Sequence, residues 1–493
     1  LPLEVPMMNA WILAGRSVSC CLPLMFCAAA SVYGQTTDKP YVRVSPRDPR
    51  YFELSDGRPY IPIGLNMIAP PGNSDEALAQ MGQWMGQLAA NGGNFIRVWL
   101  SNGFFDVEHE RSGQYDAQKA KRIDAMLAVA RRYDIRVKMT LEHFRHLGDG
   151  SQTWAGKPLY QVSRGGPAKD IVDFFANPAS QGQFKGKIAW YAKRYGDDPT
   201  VFAWELWNEF DAVQNLWTPE MWQDSGVAKR WTQMMLETLH QQFPKNLATQ
   251  SQGSFDTQNK IDLYRSLCFI PGNDIAQVHR YLDLGAQLDV CHGPMDVLAA
   301  DAVTTLLGFM PGKPVLLAES GAVEPHHSGP FKLYAQDRAG IILHDVLFAP
   351  FFAGAAGPGH CWHWDSYVAK NNLWHHFGRF AKSVRDLDPP AEGFRPVRIE
   401  HPRLRIYALA GRRTLIAWCR DKENTWQTEL AEGKQPERLA DLSIQVPAEI
   451  VPEGASRIRI YDLWADEWSE GRLDQGRLSL PAFTRSIVFR IER

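Results

Sequence analysis

Between residues 60 and 364 the chain alternates two hydrophobic periods. Short apolar runs rich in aromatic and β-branched residues recur at 60–66, 94–100, 135–143, 201–209, 246–251, 274–281, 313–319 and about 357–364. Runs of this length bounded by turn formers read as buried strands. Most of the segments between them repeat their apolar positions every three to four residues, at 74–91, 117–133, 178–195, 219–243, 294–309 and 337–348. The first of these opens on Ser74 and stops at Gly92-Gly93, a helix cap and a helix terminator. Eight strands separated by helices predict an α/β fold, and with no Gly-rich dinucleotide turn the arrangement fits a (β/α)8 TIM barrel better than a doubly wound sheet.

The flanks have a different grammar. Residues 41–60 alternate short strands around Asp56-Gly57, a hairpin signal, and are expected to close the bottom of the barrel. After Asp388-Pro-Pro390 the helical period disappears, and short strands are predicted at 395–400, 404–410, 414–419, 442–446, 457–461 and 486–491. Regular short strands over about a hundred residues indicate an all-β sandwich. The expected division is a catalytic barrel with its N-terminal hairpin at 41–390 and a C-terminal β-sandwich at 391–493.

Composition narrows the function more than the fold. With 45% hydrophobic and 22% charged residues and a net charge of −2, the chain carries no electrostatic bias toward nucleic acid or an anionic membrane. Its 17 Trp are numerous; they suit either a large core or a cleft that stacks on sugar rings. Residues 1–35 read as a targeting segment: Met7 or Met8, then Arg16, an apolar run at 20–30, and small residues near Gly34 before Gln35, with 1–6 as an upstream extension. A cleaved signal peptide and a secreted or periplasmic location are expected. The competing reading, a retained anchor, requires roughly 18 or more apolar residues, which this run does not reach. Three of the seven Cys fall in that segment, and Cys268, Cys291, Cys361 and Cys419 are widely spaced without C-x-x-C. Neither a zinc knot nor a dense disulfide framework is indicated, and a single disulfide is left open.

The candidate chemistry lies at strand ends. Residues 201–209, Val-Phe-Ala-Trp-Glu-Leu-Trp-Asn-Glu, end on Asn208 and Glu209, and the run 315–319 ends on Glu319. In a barrel these are the fourth and seventh strands, so both carboxyls converge on one mouth, where barrel enzymes carry their chemistry. Glycoside hydrolysis asks for two carboxyls, one neutral proton donor and one ionised group. Glu205, four residues before Glu209, is expected low in the barrel in a structural role. Asp106, Glu108, Glu324 and Asp365 are expected as solvated loop charges at the mouth.

Trp207-Asn-Glu209 and Ala318-Glu-Ser-Gly321 resemble the signatures of clan A glycoside hydrolases, and most closely family 5, the cellulase and mannanase family, over about residues 60–387. The resemblance implies Glu209 as acid/base and Glu319 as nucleophile. It further implies that Arg97 steadies the nucleophile, that His143 is the third-strand histidine and that Asn208 contacts the sugar 2-hydroxyl. His279 and Tyr281 match the sixth-strand His-x-Tyr, whose hydroxyl bonds the nucleophile, and Trp362 or Trp364 supplies the eighth-strand platform. His pairs at 143/146, 326/327, 360/363 and 375/376 could serve a metal or a polar sugar cleft, but no His-Glu-x-x-His occurs, and neither metal nor cofactor is expected. The expected function is a retaining glycoside hydrolase acting on β-glucan or β-mannan, with carbohydrate as its partner. The alternatives are an exo-acting β-mannosidase or β-galactosidase-like enzyme and an inactive carbohydrate-binding barrel. Trp464 and Trp468 could bind glycan, but packing against the barrel is the preferred role.

Overall fold

The computed structural model describes residues 39–143, 159–196, 198–213 and 218–493. The expected targeting segment and His146 lie outside them. The described chain opens with three short antiparallel strands, β1 (Val42–Val44), β2 (Phe52–Leu54) and β3 (Pro59–Tyr60). Asp56-Gly57 turns β2 into β3, with Gly57 at φ 90°, a backbone state that glycine enters without a Cβ clash. The expected hairpin is present with β1 added as a third strand. Phe52 meets Phe202 edge-on at 5.2 Å, placing this sheet beneath the strand that leads to Glu209.

Strands β4 (Gly64–Asn66), β5 (Phe95–Trp99), β6 (Arg136–Glu142), β7 (Val201–Trp207) and β8 (Leu247–Thr249) form a parallel sheet in chain order. β9 (Ala276–Asp283) and β10 (Val315–Val323) form a parallel pair. Every residue of β4 to β10 is buried, including the polar and charged positions of β6 (Arg-Val-Lys-Met-Thr-Leu-Glu) and β9, as expected of a parallel sheet covered on both faces. The covering helices are α1 (Asp75–Ala90), α2 (Ala117–Arg132), α3 (Ile171–Ala176), α4 (Pro178–Tyr195), α5 (Pro219–Trp222), α6 (Val227–Gln242), α7 (Ile261–Cys268), α8 (Met295–Gly308), α9 (Ile341–Phe352), α10 (His375–Ser383) and α11 (Pro389–Glu392).

Three departures from the sequence reading have local causes. The helix expected at 219–243 is divided into α5 and α6, because a Cβ on Gly226 would stand 2.3 Å from the Met221 carbonyl oxygen; the chain doubles back there too tightly for a continuous helix. α9 starts later than expected because the Asp337 carboxylate caps it, accepting from Ile341 N at 2.8 Å and Ile342 N at 3.1 Å. The eighth strand is reduced to Cys361, which bridges Leu65 and Ser320 in parallel. Pro358 has no N–H for a ladder, and a Cβ on Gly359 would meet the Val346 carbonyl oxygen at 2.4 Å, so this segment runs against α9 instead of pairing along its length.

The C-terminal part is β-rich. β11 (Arg395–Arg398), β12 (Leu404–Ala410), β13 (Thr414–Asp421), β16 (Arg457–Asp462), β17 (Glu467–Glu470) and β21 (Ser486–Glu492) make an antiparallel sheet in the order β11-β12-β13-β21-β16-β17. Smaller pairings join β14 (Arg438–Leu439) to β20 (Phe483–Thr484), and β15 (Ser443–Gln445) to β19 (Arg477–Ser479) and β18 (Leu473–Asp474). Alternation divides the large sheet's side chains: Trp418 and Val488 join the core shared with the helices, while Ala417, Cys419, Ile487 and Phe489 face a second core under the small sheets. Trp464 packs in the shared core and donates its indole N–H to Ser486 Oγ at 3.1 Å; Trp468 stacks on Tyr461 at 4.8 Å. Cys268, Cys291, Cys361 and Cys419 are buried free thiols, so none of these four forms the disulfide left open above.

Two ion pairs, one buried and one partly buried, tie the sheet to the helices. Arg420 donates to both Asp345 oxygens at 2.8 and 3.3 Å, and Arg405 to both Asp296 oxygens at 2.5 and 2.8 Å. Arg420 and Asp345 are almost fully buried. Removing one partner of such a pair strands the other, at about 3 kcal/mol or more. Arg420→Met is therefore expected to lower the thermal unfolding midpoint markedly, read by circular dichroism; a midpoint equal to the parent's would show that this pair does not hold the sheet to the helices.

Candidate active site

The seven parallel strands point their carboxyl ends at one cavity of about 650 Å³, lined by Glu209, Glu319, Tyr281, Trp99, Trp362 and Trp364 among others. Two backbone irregularities aim its carboxyls. Glu209 follows β7 in the left-handed region at φ 50°, ψ 57°, a state costly for a residue with a Cβ and typical of functional positions. It is held there by its own N–H, which donates to Ser251 Oγ at 3.1 Å, and by Phe210 N, which donates to the Ser251 carbonyl at 3.1 Å. Glu319 follows a bulge in β10: Leu317 pairs with Val278 but Glu319 with His279, leaving Ala318 as the extra residue. A bulge bends the strand and re-aims the next side chain. Asn66 secures it by donating to the Ala318 carbonyl at 3.1 Å.

One donor atom from each of Glu209, His279 and Glu319 lies within 4.8 Å of the other two, so the two carboxyls face each other at that range. Glu319 is 4% exposed, and both its oxygens are engaged: Arg97 Nη1 donates to Oε2 at 2.6 Å and Tyr281 OH to Oε1 at 2.7 Å. His279 Nδ1 stands 3.1 Å from Glu209 Oε1 and 3.6 Å from Glu319 Oε2. Burial pushes His279 down to about 4, so its imidazole is neutral near neutral pH. A proton on Nδ1 is the tautomer that suits two carboxylate neighbours. These three groups do not suit a resident cation, since Arg97 brings a positive charge within 2.6 Å of the carboxylate that would have to bind it.

The two carboxyls are set apart by their surroundings. Burial pushes Glu209 up to about 7, with Asp211 adding to the rise and His327 and Lys260 opposing it. Burial also raises Glu319, and nearby Glu209 adds to this, while His279, Arg97 and the Tyr281 hydrogen bond pull it back. One carboxyl has direct charge-assisted bonds that favour its ionised form; the other does not.

The remaining sequence-derived positions divide into those at the cavity and those behind it. Asn208 is buried, accepts from Arg97 Nη2 at 2.6 Å, and has no hydrogen-bond partner for its Nδ2 among the described residues. Trp362 lies 5.1 Å from Trp99 and 5.8 Å from Trp364, and all three line the cavity. His143 is one layer removed, stacked on Trp99 at 4.6 Å with Nδ1 2.5 Å from Ser101 Oγ. Glu205 is wholly buried and bound to Arg97. Asp106 and Glu108 correct the sequence reading: both are buried, and Glu108 holds Lys187 at 3.2 Å and accepts from Gly113 N and Gln183. They anchor the 101–116 loop and are not solvated charges. Asn66 and Ser251 were not among the expected site residues; their signal was an Asn and a Ser just where strand patterns end.

A family profile described as "Cellulase (glycosyl hydrolase family 5)" matches residues 66–342. Mannan endo-1,4-beta-mannosidase 1 of Oryza sativa subsp. japonica is 27% identical over 304 residues, covering 54% of this chain and 66% of that protein. Mannan endo-1,4-beta-mannosidase 7 of Arabidopsis thaliana is 27% identical over 257 residues, covering 46% of this chain and 55% of that protein. The chain thus spans less than two thirds of either plant protein. Among solved structures, a glycoside hydrolase family 5 protein from Bacteroides vulgatus superposes with a TM-score of 0.57 at 13% identity, covering 92% of this chain and 94% of that one.

Proposed function

Because the chain belongs to glycosyl hydrolase family 5, we propose that it is a retaining β-glycosidase whose acid/base is Glu209 and whose nucleophile is Glu319. The observation that carries this is the approach of the two carboxyls to within 4.8 Å. Retaining enzymes hold their carboxyls about 5 to 5.5 Å apart, whereas inverting ones leave about 6.5 to 9.5 Å for a water. Glu319 attacks the anomeric carbon as Glu209 gives its proton to the departing glycosidic oxygen. Glu209, now ionised, takes a proton from water, which attacks the same carbon and frees Glu319. Arg97 and Tyr281 hold the nucleophile ionised, Asn208 offers its free Nδ2 to a sugar hydroxyl, and Trp362 and Trp364 supply aromatic faces.

The same reading takes the parallel strands as a closed (β/α)8 barrel. Its supports are the two-sided bridge at Cys361 and the hydrogen bonds joining Ala248 to Asp274, 2.8 Å to the Asp274 carboxylate and 2.9 Å from its N–H. We assign residues 41–390 to this catalytic unit and the β-rich 391–493 to a sandwich packed on it. Export to the periplasm or medium is proposed from residues 1–35. The substrate we assign is a β-1,4-linked mannan, the polymer in the names of the plant relatives.

Incubation with mannan, glucan and aryl β-glycosides tests the proposal: mannan should yield soluble oligosaccharides, and a protein that cleaves none of these substrates would refute it. An early ladder of oligomers indicates endo action; a lone monomer indicates exo action. The pH dependence follows from Glu209, which must carry a proton to act as acid. With its pKa near 7, kcat/KM is expected to fall tenfold per pH unit above about 7. A rate that stays level from pH 6 to 9 would remove Glu209 from the acid role.

A further inference from the structure

Below the carboxyls, the interior contains four charged groups of alternating sign. Glu319 is bound by Arg97; Arg97 is bound in turn by Glu205, through Nε at 2.8 Å and Nη2 at 2.6 Å. Glu205 Oε1 faces Lys138 Nζ at 3.8 Å, and Gln277 joins the two, donating to Glu205 at 2.9 Å and accepting from Lys138 at 2.7 Å. Thr140 completes the cage, donating to Glu205 Oε2 at 2.5 Å. Each of these groups is at most 4% exposed, so water does not screen them. While Lys138 holds its proton, two cations balance two anions in one dry column; without that charge the column is net negative beside the nucleophile. A lysine pointing into a sheet interior is costly unless paired, and this one supports no surface, cap or loop.

We propose that Lys138 is a positioning residue for the reaction: by neutralising Glu205 it leaves the Arg97 guanidinium free to serve Glu319, and so keeps the nucleophile ionised at the pH where Glu209 is still an acid. The proposal rests on the functional reading above. Glu205 alone would draw Arg97 away from Glu319 and add a third carboxylate to a site that already holds two. The charged and titratable groups around Lys138 come from several elements: Arg97 on β5, Glu205 on β7, His279 on β9, Glu319 on β10, and His360 beside the eighth segment. Burial pushes Lys138 down to about 7, and Glu205 is the foremost group opposing it. Glu205 itself is held down to about 2 by Arg97 and Lys138 against the effect of burial. The pair is thus mutually dependent, and the nucleophile is two contacts from it.

The test is the acidic limb of kcat/KM, measured with an aryl β-glycoside on the full chain. Lys138→Met should move that limb up by about one pH unit or more, Lys138→Arg should leave it near the parent's position, and the neutral pair Lys138→Met with Glu205→Gln should bring it back. Glu319 ionisation is followed in the same proteins by NMR of δ-carbon-13-labelled glutamate, which needs no turnover. A folded Lys138→Met whose limb and Glu319 titration both match the parent's would overturn the proposal. If the single variant does not fold, the double variant decides: a parental Glu319 titration supports neutralisation as the role of Lys138, and a raised one overturns it. A parent that cleaves no β-glycoside defeats the functional reading instead, and the NMR titration still decides the role of Lys138.

Discussion

Glu319→Ala is expected to abolish turnover of β-mannan and of aryl β-glycosides, with kcat lower by on the order of 10⁴-fold or more, as when the nucleophile of a covalent mechanism is removed. The loss should be chemical and not structural. Glu319 sits at the cavity floor, where its oxygens meet Arg97 and Tyr281, and the apolar runs that build the strands do not depend on it. The unfolding midpoint should not fall by more than the cost of leaving Arg97 with Glu205 as its only charged partner. A variant that hydrolyses substrate at the parent's rate would remove Glu319 from the mechanism.

Glu209→Ala separates the two halves of the reaction. Loss of a positioned acid/base costs about 10²- to 10⁴-fold, and the full penalty should appear with mannan, whose departing sugar oxygen needs a proton. A dinitrophenyl β-glycoside departs as a stable anion without one. With that substrate the first step should proceed, the covalent intermediate should accumulate, and added azide should restore turnover by attacking it as a nucleophile that needs no base. Azide should appear on the product in the β configuration. Equal losses on both substrates, with no response to azide, would mean that Glu209 is not the acid/base.

The main lines of this architecture were written in the local pattern. α4 (Pro178–Tyr195) has the bounds its period predicted, because Asn177 caps it and Pro178 begins it. The carboxyls were legible for a related reason: a strand end in a parallel sheet has one place to point, so Glu209 and Glu319 could be brought together by topology, whereas Arg97 and Tyr281 were placed beside them by the family resemblance. What escaped was set by contacts between distant residues. Lys138 and Glu205 meet across two strands, and nothing in either local sequence announces the partner. Glu108 reads as a loop charge until Lys187 of α4 is found beneath it. The bulge at Ala318 is fixed by Asn66 of β4, 252 residues earlier in the chain, and the eighth strand failed to form because of where Gly359 passes α9. Periodicity reports which face is buried; it does not report what a buried charge is buried against.

Retention by this pair of carboxyls requires a covalent bond between the sugar and Glu319. Reacting the protein with 2-deoxy-2-fluoro-β-mannosyl fluoride, in which the fluorine slows release of the intermediate, followed by peptide mapping by mass spectrometry, tests it most directly. One added fluoromannosyl group is expected, located on the peptide that contains Glu319 and absent from Glu319→Ala. A label carried by any other residue, or none on a protein that continues to cleave mannan with inversion at the anomeric carbon, would contradict it.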